Sequence, residues 1–315
     1  MNNPVLTALF PVILLIAIGF IAGRSGWIRA EATKDLSNLV FMVLTPALLF
    51  RTMSTVHVQD LNFKPVALYF VAAGLLFFAI YFWQGANRRA AVLGLGATFS
   101  NTLVIGTPLI GLAYGEAGLI TLFTLISLHA LVLLTMATVV LEVSVARETD
   151  ASGGGARRPM FRTILTAVRN GIIHPVPLPI IVGLLFAQTG WVVPAVVDKP
   201  LQLLGNAFGP LALVLVGVTI TNGRIGAYLK AALGLSLVKN LVFPAVMAGV
   251  GWAAGMGGLP LSVMVVAASL PIGANVFMFS QKYEVAQDLI TASLAVSTAI
   301  GIVTISLVMA LISWF

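Results

Sequence analysis

The chain has 315 residues and no cysteine, which excludes disulfides, thiolate nucleophiles and cysteine metal sites but leaves its redox compartment open. Charge is scarce as well. Asp, Glu, Lys and Arg make up 9% of the residues, against about 25% in soluble domains, too few to cover the surface of a soluble protein this long. The ten acidic residues are Glu31, Asp35, Asp60, Glu116, Glu142, Glu148, Asp150, Asp198, Glu284 and Asp288, and none falls near the middle of an apolar run. The chain therefore lacks the intramembrane carboxylate on which proton and sodium pumps commonly rely. HExxH and paired-Asp motifs are missing, and Ser127 and His129, two residues apart, point to different helix faces and form no dyad. These absences argue against an enzyme and imply no cofactor and no metal site.

What is present is apolar. Hydrophobic residues make up 59% of the chain, in runs of about 20 residues, which predicts a polytopic α-helical membrane protein. Outer-membrane strands would instead alternate over about ten residues. Hydropathy places ten spans near 4–23, 35–55, 65–83, 90–112, 117–145, 171–189, 200–221, 227–254, 260–281 and 286–314. The first run, Pro4 to Ala22, lacks a basic n-region and reads as a retained span rather than a signal peptide. Between the fifth and sixth spans lies a hydrophilic linker, 147–165, containing Gly153-Gly154-Gly155.

The formal charge of +7 follows topology rather than a nucleic-acid surface. Thirteen of the seventeen Lys and Arg residues fall on alternate loops, three (Arg51, Lys64, Lys199) on the others, and Lys239 inside the eighth span. By the positive-inside rule both termini are outside and the Gly-rich linker is cytoplasmic.

The sequence also repeats itself about 165 residues apart. At a shift of 164, Pro11, Gly19, Gly26, Trp27 and Pro46 fall on Pro175, Gly183, Gly190, Trp191 and Pro210. At 169, Trp83 meets Trp252, and at 170, Leu119-Ile120-Thr121 and Ser127 meet Leu289-Ile290-Thr291 and Ser297. Five spans per copy makes the repeat inverted, 1–146 against 166–315, as in secondary transporters whose sites lie where the repeats meet. Matched helix breaks mark that place. Ser100-Asn101-Thr102 precedes Gly106-Thr107-Pro108 in the fourth span, and Pro271-Ile272-Gly273-Ala274-Asn275 interrupts the ninth. Proline removes a donor and glycine opens the backbone, while each asparagine can meet a ligand without burying a charge. The candidate substrate residues are Asn101, Thr102, Gly106, Pro108, Pro271, Gly273 and Asn275. Ordinary proline kinks are the alternative reading.

The run SNTLVIGTPLIGLAYG, Ser100 to Gly115, resembles the fourth-helix signature of the auxin efflux carrier family, which includes the plant PIN carriers. LPIGANVFMFSQKY, Leu270 to Tyr283, is similar to that family's ninth-helix crossover, and FMVLTPALLF (41–50) and VKNLVFPAVM (238–247) resemble its second and eighth helices. The resemblance implies ten helices in a 5+5 inverted repeat like the bile-acid symporters and sodium–proton antiporters, with helices 4 and 9 broken and crossing. It implies a scaffold of helices 1, 2, 6 and 7, a transport domain of helices 3–5 and 8–10, and elevator-type movement. It also implies a small organic anion as substrate: a dicarboxylate such as malonate or malate in bacterial members, or an auxin-like carboxylate. Asn101 matches the family's NTL motif, Pro108 its G-x-P-L step, and Pro271 and Gly273 its LPxG, whereas Asn275 lies in a variable stretch. For a PIN-like bacterial member the place is the inner membrane, in contact with lipid, and a homodimer is one arrangement left open.

Two ionisable groups lie at mid-span. His129, with a reference pKa near 6.5, is either a proton carrier or a neutral histidine bonded within the bundle. Lys239 either faces an anionic substrate or is held by helix-end carbonyls. His174 and three nearby prolines are expected to bend the start of the sixth span. Uniport and proton coupling both stay open, sodium coupling is the less favoured route, and a receptor or channel without coupled movement is the competing class.

Overall fold

The computed structural model describes residues 4–56, 61–151, 177–221 and 228–312. The Gly-rich stretch, His174 and the start expected for the sixth span lie outside the described residues. The rest is helical, with no strand among the described residues.

Helix α1 is Pro4–Arg24. Helix α2, Ala30–Leu39, continues through a wide π-helical turn, Val40–Leu44, into α3, Thr45–Met53. Helix α4 is Phe63–Trp83 and α5 is Arg88–Thr98, each started by an asparagine cap: Asn62 Oδ1 accepts from Lys64 N at 3.0 Å and Asn87 Oδ1 from Ala90 N at 2.9 Å. A second π-helical turn, Thr102–Gly106, leads into α6, Thr107–Ala151, which is interrupted at Gly115 (φ 63°). Then come α7 (Pro177–Gln188), α8 (Ala195–Thr221) and α9 (Leu229–Leu237). A third π-helical turn, Val238–Val242, is followed by α10 (Phe243–Ala253), α11 (Gly258–Ser269), α12 (Asn275–Lys282) and α13 (Gln287–Ile312). Among the described residues, six stretches are long and apolar enough to cross a membrane: 31–53, 63–83, 102–145, 195–218, 229–253 and 287–312.

All three π-helical turns have one local cause. Each ends two residues before a proline: Pro46, Pro108 or Pro244. A proline ring clashes with the carbonyl one turn back, and widening that turn by a residue relieves the clash. Thr45 Oγ1 then donates to the displaced Val40 carbonyl at 2.8 Å.

Three boundaries differ from the sequence expectation by five residues or more; one is the seventh span, which begins at Ala195 rather than 200, with Asp198 in its first turn. The second span begins at Ala30 rather than 35, with Glu31 in its first turn, where a negative charge suits the helix dipole. The fifth runs to Ala151 rather than 145, because Glu148 ties its last turns to α5. Its carboxylate accepts from Arg88 N at 3.1 Å and from Arg88 Nε at 2.5 Å. The first residues assigned to the linker are therefore helical.

α1, α3, α7 and α8 pack on one another, and α4, α5 and α9–α13 pack mainly among themselves. The α1–α8 contact is close because it is glycine-lined. A Cβ on Gly19 would overlap the Val214 carbonyl oxygen, and one on Gly217 would overlap that of Ile16. Gly217→Val is expected to cost at least about 2 kcal/mol through overpacking, measured as a fall of several degrees in the melting temperature of the detergent-solubilised protein.

Every residue from Ala90 to Ser100 and from Val263 to Gly273 is buried. These two arms, α5 and α11, are apolar all round, as an internal helix must be.

Candidate functional site

Both internal arms lose their helical course at mid-depth, the second of them at a proline and a glycine. α5 ends at Thr98 and Phe99 is extended (ψ 104°). α11 ends at Ser269, and Leu270 is likewise extended (ψ 152°) before Pro271, which cannot donate. Broken backbone in an apolar interior needs partners, and the two breaks supply them to each other. Ser100 and Ile272 form an antiparallel bridge. Asn101 N donates to Pro271 O and Gly273 N to Phe99 O, both at 2.9 Å. Gly273 is required at this approach, since a Cβ there would come within 2.8 Å of the Phe99 ring.

A cavity of about 270 Å³ opens beside this junction. Phe99 to Val104 line it from one break, and Gly273, Ala274 and Asn275 from the other. Ile126, His129 and Ala130 of α6 form a further wall. The remaining wall is Ser37 of α2, Val40 of the first wide turn, and Ala212, Leu215 and Val216 of α8. Among the described residues, Arg, Lys, Asp and Glu are all missing from this lining, so its polar character comes from hydroxyls, amides, one imidazole and helix ends.

Two half-helices begin at the cavity. Asn101 caps the turn starting at Thr102, and its backbone carbonyl accepts from Ile105 N and Gly106 N. Its side chain makes no capping bond, so the amide is left for the cavity. The first N–H groups of a helix lack intrahelical acceptors and carry a partial positive charge. α12 begins at Asn275, on the facing break.

Of the residues singled out in the sequence, Asn101, Thr102, Gly273, Asn275 and His129 line the cavity. Gly106, Pro108 and Pro271 do not. Gly106 admits the Leu270 side chain, Pro108 sits against Gly209, and Pro271 accepts from Asn101 while its ring packs on Gly301. They shape the breaks rather than face the cavity. Lys239 also lies away from it. The side chain is fully buried, and its ammonium donates to Ala268 O at 2.6 Å and Leu270 O at 2.5 Å, the end of α11.

The sequence reading passed over Tyr69. This fully buried phenol sits 2.9 Å from Ser100 Oγ and 3.5 Å from His129 Nε2. A signal for it existed: at the 170 shift Tyr69 falls on Lys239 and Ser100 on Leu270, so each half sends one polar side chain to its own break. Ser37 and the α8 wall carried no such signal. Among the described residues, no group of three or more His, Asp or Glu could hold a metal.

A family model described as membrane transport protein matches residues 4–309. The chain belongs to that family, which includes the auxin efflux carriers. Within it, a Rhizobium meliloti (strain 1021) protein named "Putative malonate transporter" is 25% identical over 304 residues, covering 94% of this chain and 92% of its own. "Auxin efflux carrier component 8" of Arabidopsis thaliana is 21% identical over 348 residues, covering 95% of each. The Escherichia coli (strain K12) "Uncharacterized transporter YfdV" is 22% identical over 307 residues, covering 94% of each. Family membership and apolar helices together make this a multi-pass membrane transporter.

Proposed function

We propose that the protein is a secondary transporter of small organic anions working by elevator-type alternating access. The observation that carries this reading is the cavity at the paired breaks, where two asparagines and two half-helix starts converge without a fixed negative charge. Unpaired N–H groups and amides suit a carboxylate, and they avoid the cost of burying a permanent counter-charge once the substrate has left. Asn101, Thr102, Gly273 and Asn275 would contact substrate, with Gly106, Pro108 and Pro271 fixing the backbone around it.

Ten spans in two inverted five-span halves account for the packing and for the turns. The positive-φ glycines Gly26 and Gly190 stand beside Trp27 and Trp191, and Gly85 and Gly255 shortly follow Trp83 and Trp252. Those four paired tryptophans are each at least 75% exposed, as interfacial anchors are. The group α1–α3, α7 and α8 would be the scaffold and α4–α6 with α9–α13 the moving part. The lysine and arginine count supports both termini lying outside and the linker in the cytoplasm, and the bacterial relatives support an inner membrane as the site. Exposed apolar side chains such as Leu14, Leu185 and Val303 suit contact with lipid, and a second copy in a homodimer would use the same kind of surface.

The lining favours a single carboxylate on an apolar body, like the auxin of the plant relative's name. A second carboxylate, as in malonate, would face Val40, Leu215 and Val216 with no cation among the described lining residues to meet it. The malonate in the Rhizobium relative's name supports the dicarboxylate as second reading. A membrane potential of about 100 mV supplies about 2.3 kcal/mol per charge, so export of an anion by uniport would need no coupling ion. Proton coupling would instead show as a dependence on a pH gradient.

Proteoliposome counterflow tests the proposal. Labelled indole-3-acetate, malate and malonate should be offered under imposed voltage, pH and sodium gradients. Saturable exchange of an organic anion is expected, with the monocarboxylate preferred about tenfold or more, since a misplaced buried charge costs more than 1.4 kcal/mol. Absence of saturable exchange with every acid would overturn the transporter reading, and conductance without counterflow would indicate a channel.

A further inference from the structure

We propose that His129 is a further side chain that recognises the substrate carboxylate, beside the asparagine amides, as a neutral imidazole donating from Nδ1, with Ser100 and Tyr69 setting its tautomer from behind. This rests on the transporter reading above and adds a specific donor to it.

The geometry begins with the phenol. Tyr69 has one proton and two neighbours, Ser100 Oγ at 2.9 Å and His129 Nε2 at 3.5 Å. A chain running one way satisfies all three groups: Ser100 donates to the phenol oxygen, and the phenol donates to Nε2. Nε2 is then the acceptor, and the ring proton sits on Nδ1. That second nitrogen meets no acceptor among the described residues. The buried side-chain atoms lacking a partner among the described residues are Thr107 Oγ1 and Asn240 Oδ1. Nδ1, which also lacks one, is therefore not sealed in, and the cavity that His129 lines is where it opens. Phe99, with ring centroids 4.5 Å apart, and Tyr69, at 5.7 Å, hold the imidazole between them.

The surroundings argue for a neutral donor rather than a proton carrier. Among the described residues, the ionisable groups near His129 are Tyr69 on α4 and Lys239, whose ammonium lies 5.2 Å from the Phe243 ring centroid. No carboxylate faces it among the described residues. An imidazolium here would be a second buried cation without a counter-charge whenever the cavity is empty. A neutral N–H needs no such compensation and still meets an anion when one arrives.

The test is counterflow of labelled indole-3-acetate by the full-length protein in proteoliposomes, comparing wild type with His129→Phe, His129→Gln and Tyr69→Phe. A hydrogen bond to a charged group is strong enough that its loss should raise KM about tenfold or more. His129→Phe is expected to show that rise with maximal rate within about threefold, and His129→Gln, which keeps an N–H donor, to recover most of the affinity. Tyr69→Phe frees the tautomer and is expected to raise KM by roughly threefold to tenfold at unchanged maximal rate. Wild-type KM for the anion should stay flat from pH 6 to 8. Wild-type affinity in both His129→Phe and Tyr69→Phe would overturn the assignment. So would a pH-dependent wild-type KM that His129→Gln abolishes, since that marks a proton carrier. If His129→Phe does not fold, the Tyr69→Phe and His129→Gln pair decides by the same criteria. Failure of wild type itself to exchange any carboxylate would bring down the transporter reading, a result distinct from normal exchange by the variants.

Discussion

Replacing Asn101 with alanine is expected to raise the KM for the transported anion at least tenfold while leaving the melting temperature within about 2 °C of wild type. The backbone at this position is what the fold needs: its N–H donates to Pro271 O and its carbonyl accepts from Ile105 N and Gly106 N. Alanine keeps all three bonds. The side chain makes no capping bond and is only partly buried, at the cavity wall, so its amide has little structural work to lose. A donor to a carboxylate is another matter. Hydrogen bonds to charged groups are worth roughly 1.5–3 kcal/mol, equivalent to about a 10- to 150-fold change in affinity. Asn101→Asp should be worse still, because it places a like charge where the anion must sit. Counterflow KM and thermal unfolding, measured on the same preparation, give both halves of the answer. Normal affinity in Asn101→Ala would remove this residue from the site. A large loss of stability would mean that the amide bonds within the protein instead.

The breaks were legible through local signals, although only the second has a proline and a glycine within it. Pro108 and Pro271 cannot donate, Gly106 and Gly273 admit close neighbours, and both facts belong to residue types rather than to the fold. The pairing of the breaks across 170 residues followed from the repeat, which needs only a shift. The register was out of reach: no local property says that Ser100 rather than Asn101 faces Ile272. The other walls were invisible for a different reason. Ala212, Leu215 and Val216 look like any apolar stretch of a span, and their place at the cavity depends on how α8 packs against the wide turn after Asn101. Tyr69 falls between these cases. A tyrosine in an apolar run is common enough to pass as packing, and its link to Ser100 and His129 spans 31 and 60 residues. Span limits failed where charged residues extend a helix. Residues such as Glu31 and Glu148 lower hydropathy and hide the turns they stabilise.

Lys239→Met is expected to lower the melting temperature in detergent by roughly 5 °C or more while changing anion KM less than about threefold. The argument starts from α11, whose last carbonyls have lost their usual donors because the chain turns at Leu270 and Pro271 brings no N–H. Ile272 N, which would serve the Ala268 carbonyl in a continuous helix, goes instead to Ser297 Oγ at 3.2 Å. The Lys239 ammonium takes over, bonding Ala268 O and Leu270 O from a fully buried position beside the Phe243 ring, 5.2 Å from its centroid. Methionine matches the length and packs against the same ring but donates nothing. Two buried acceptors are then left unsatisfied, at about 1–3 kcal/mol each, and a loss of that size corresponds to several degrees of melting temperature. Lys239→Arg should not rescue, because a planar fork needs more room than a fully buried ammonium leaves. The cavity lining excludes Lys239, so recognition of the anion should survive in whatever fraction folds. The reverse pattern, intact stability with lost affinity, would place this charge on the substrate path and reopen the view that Lys239 partners the anion directly.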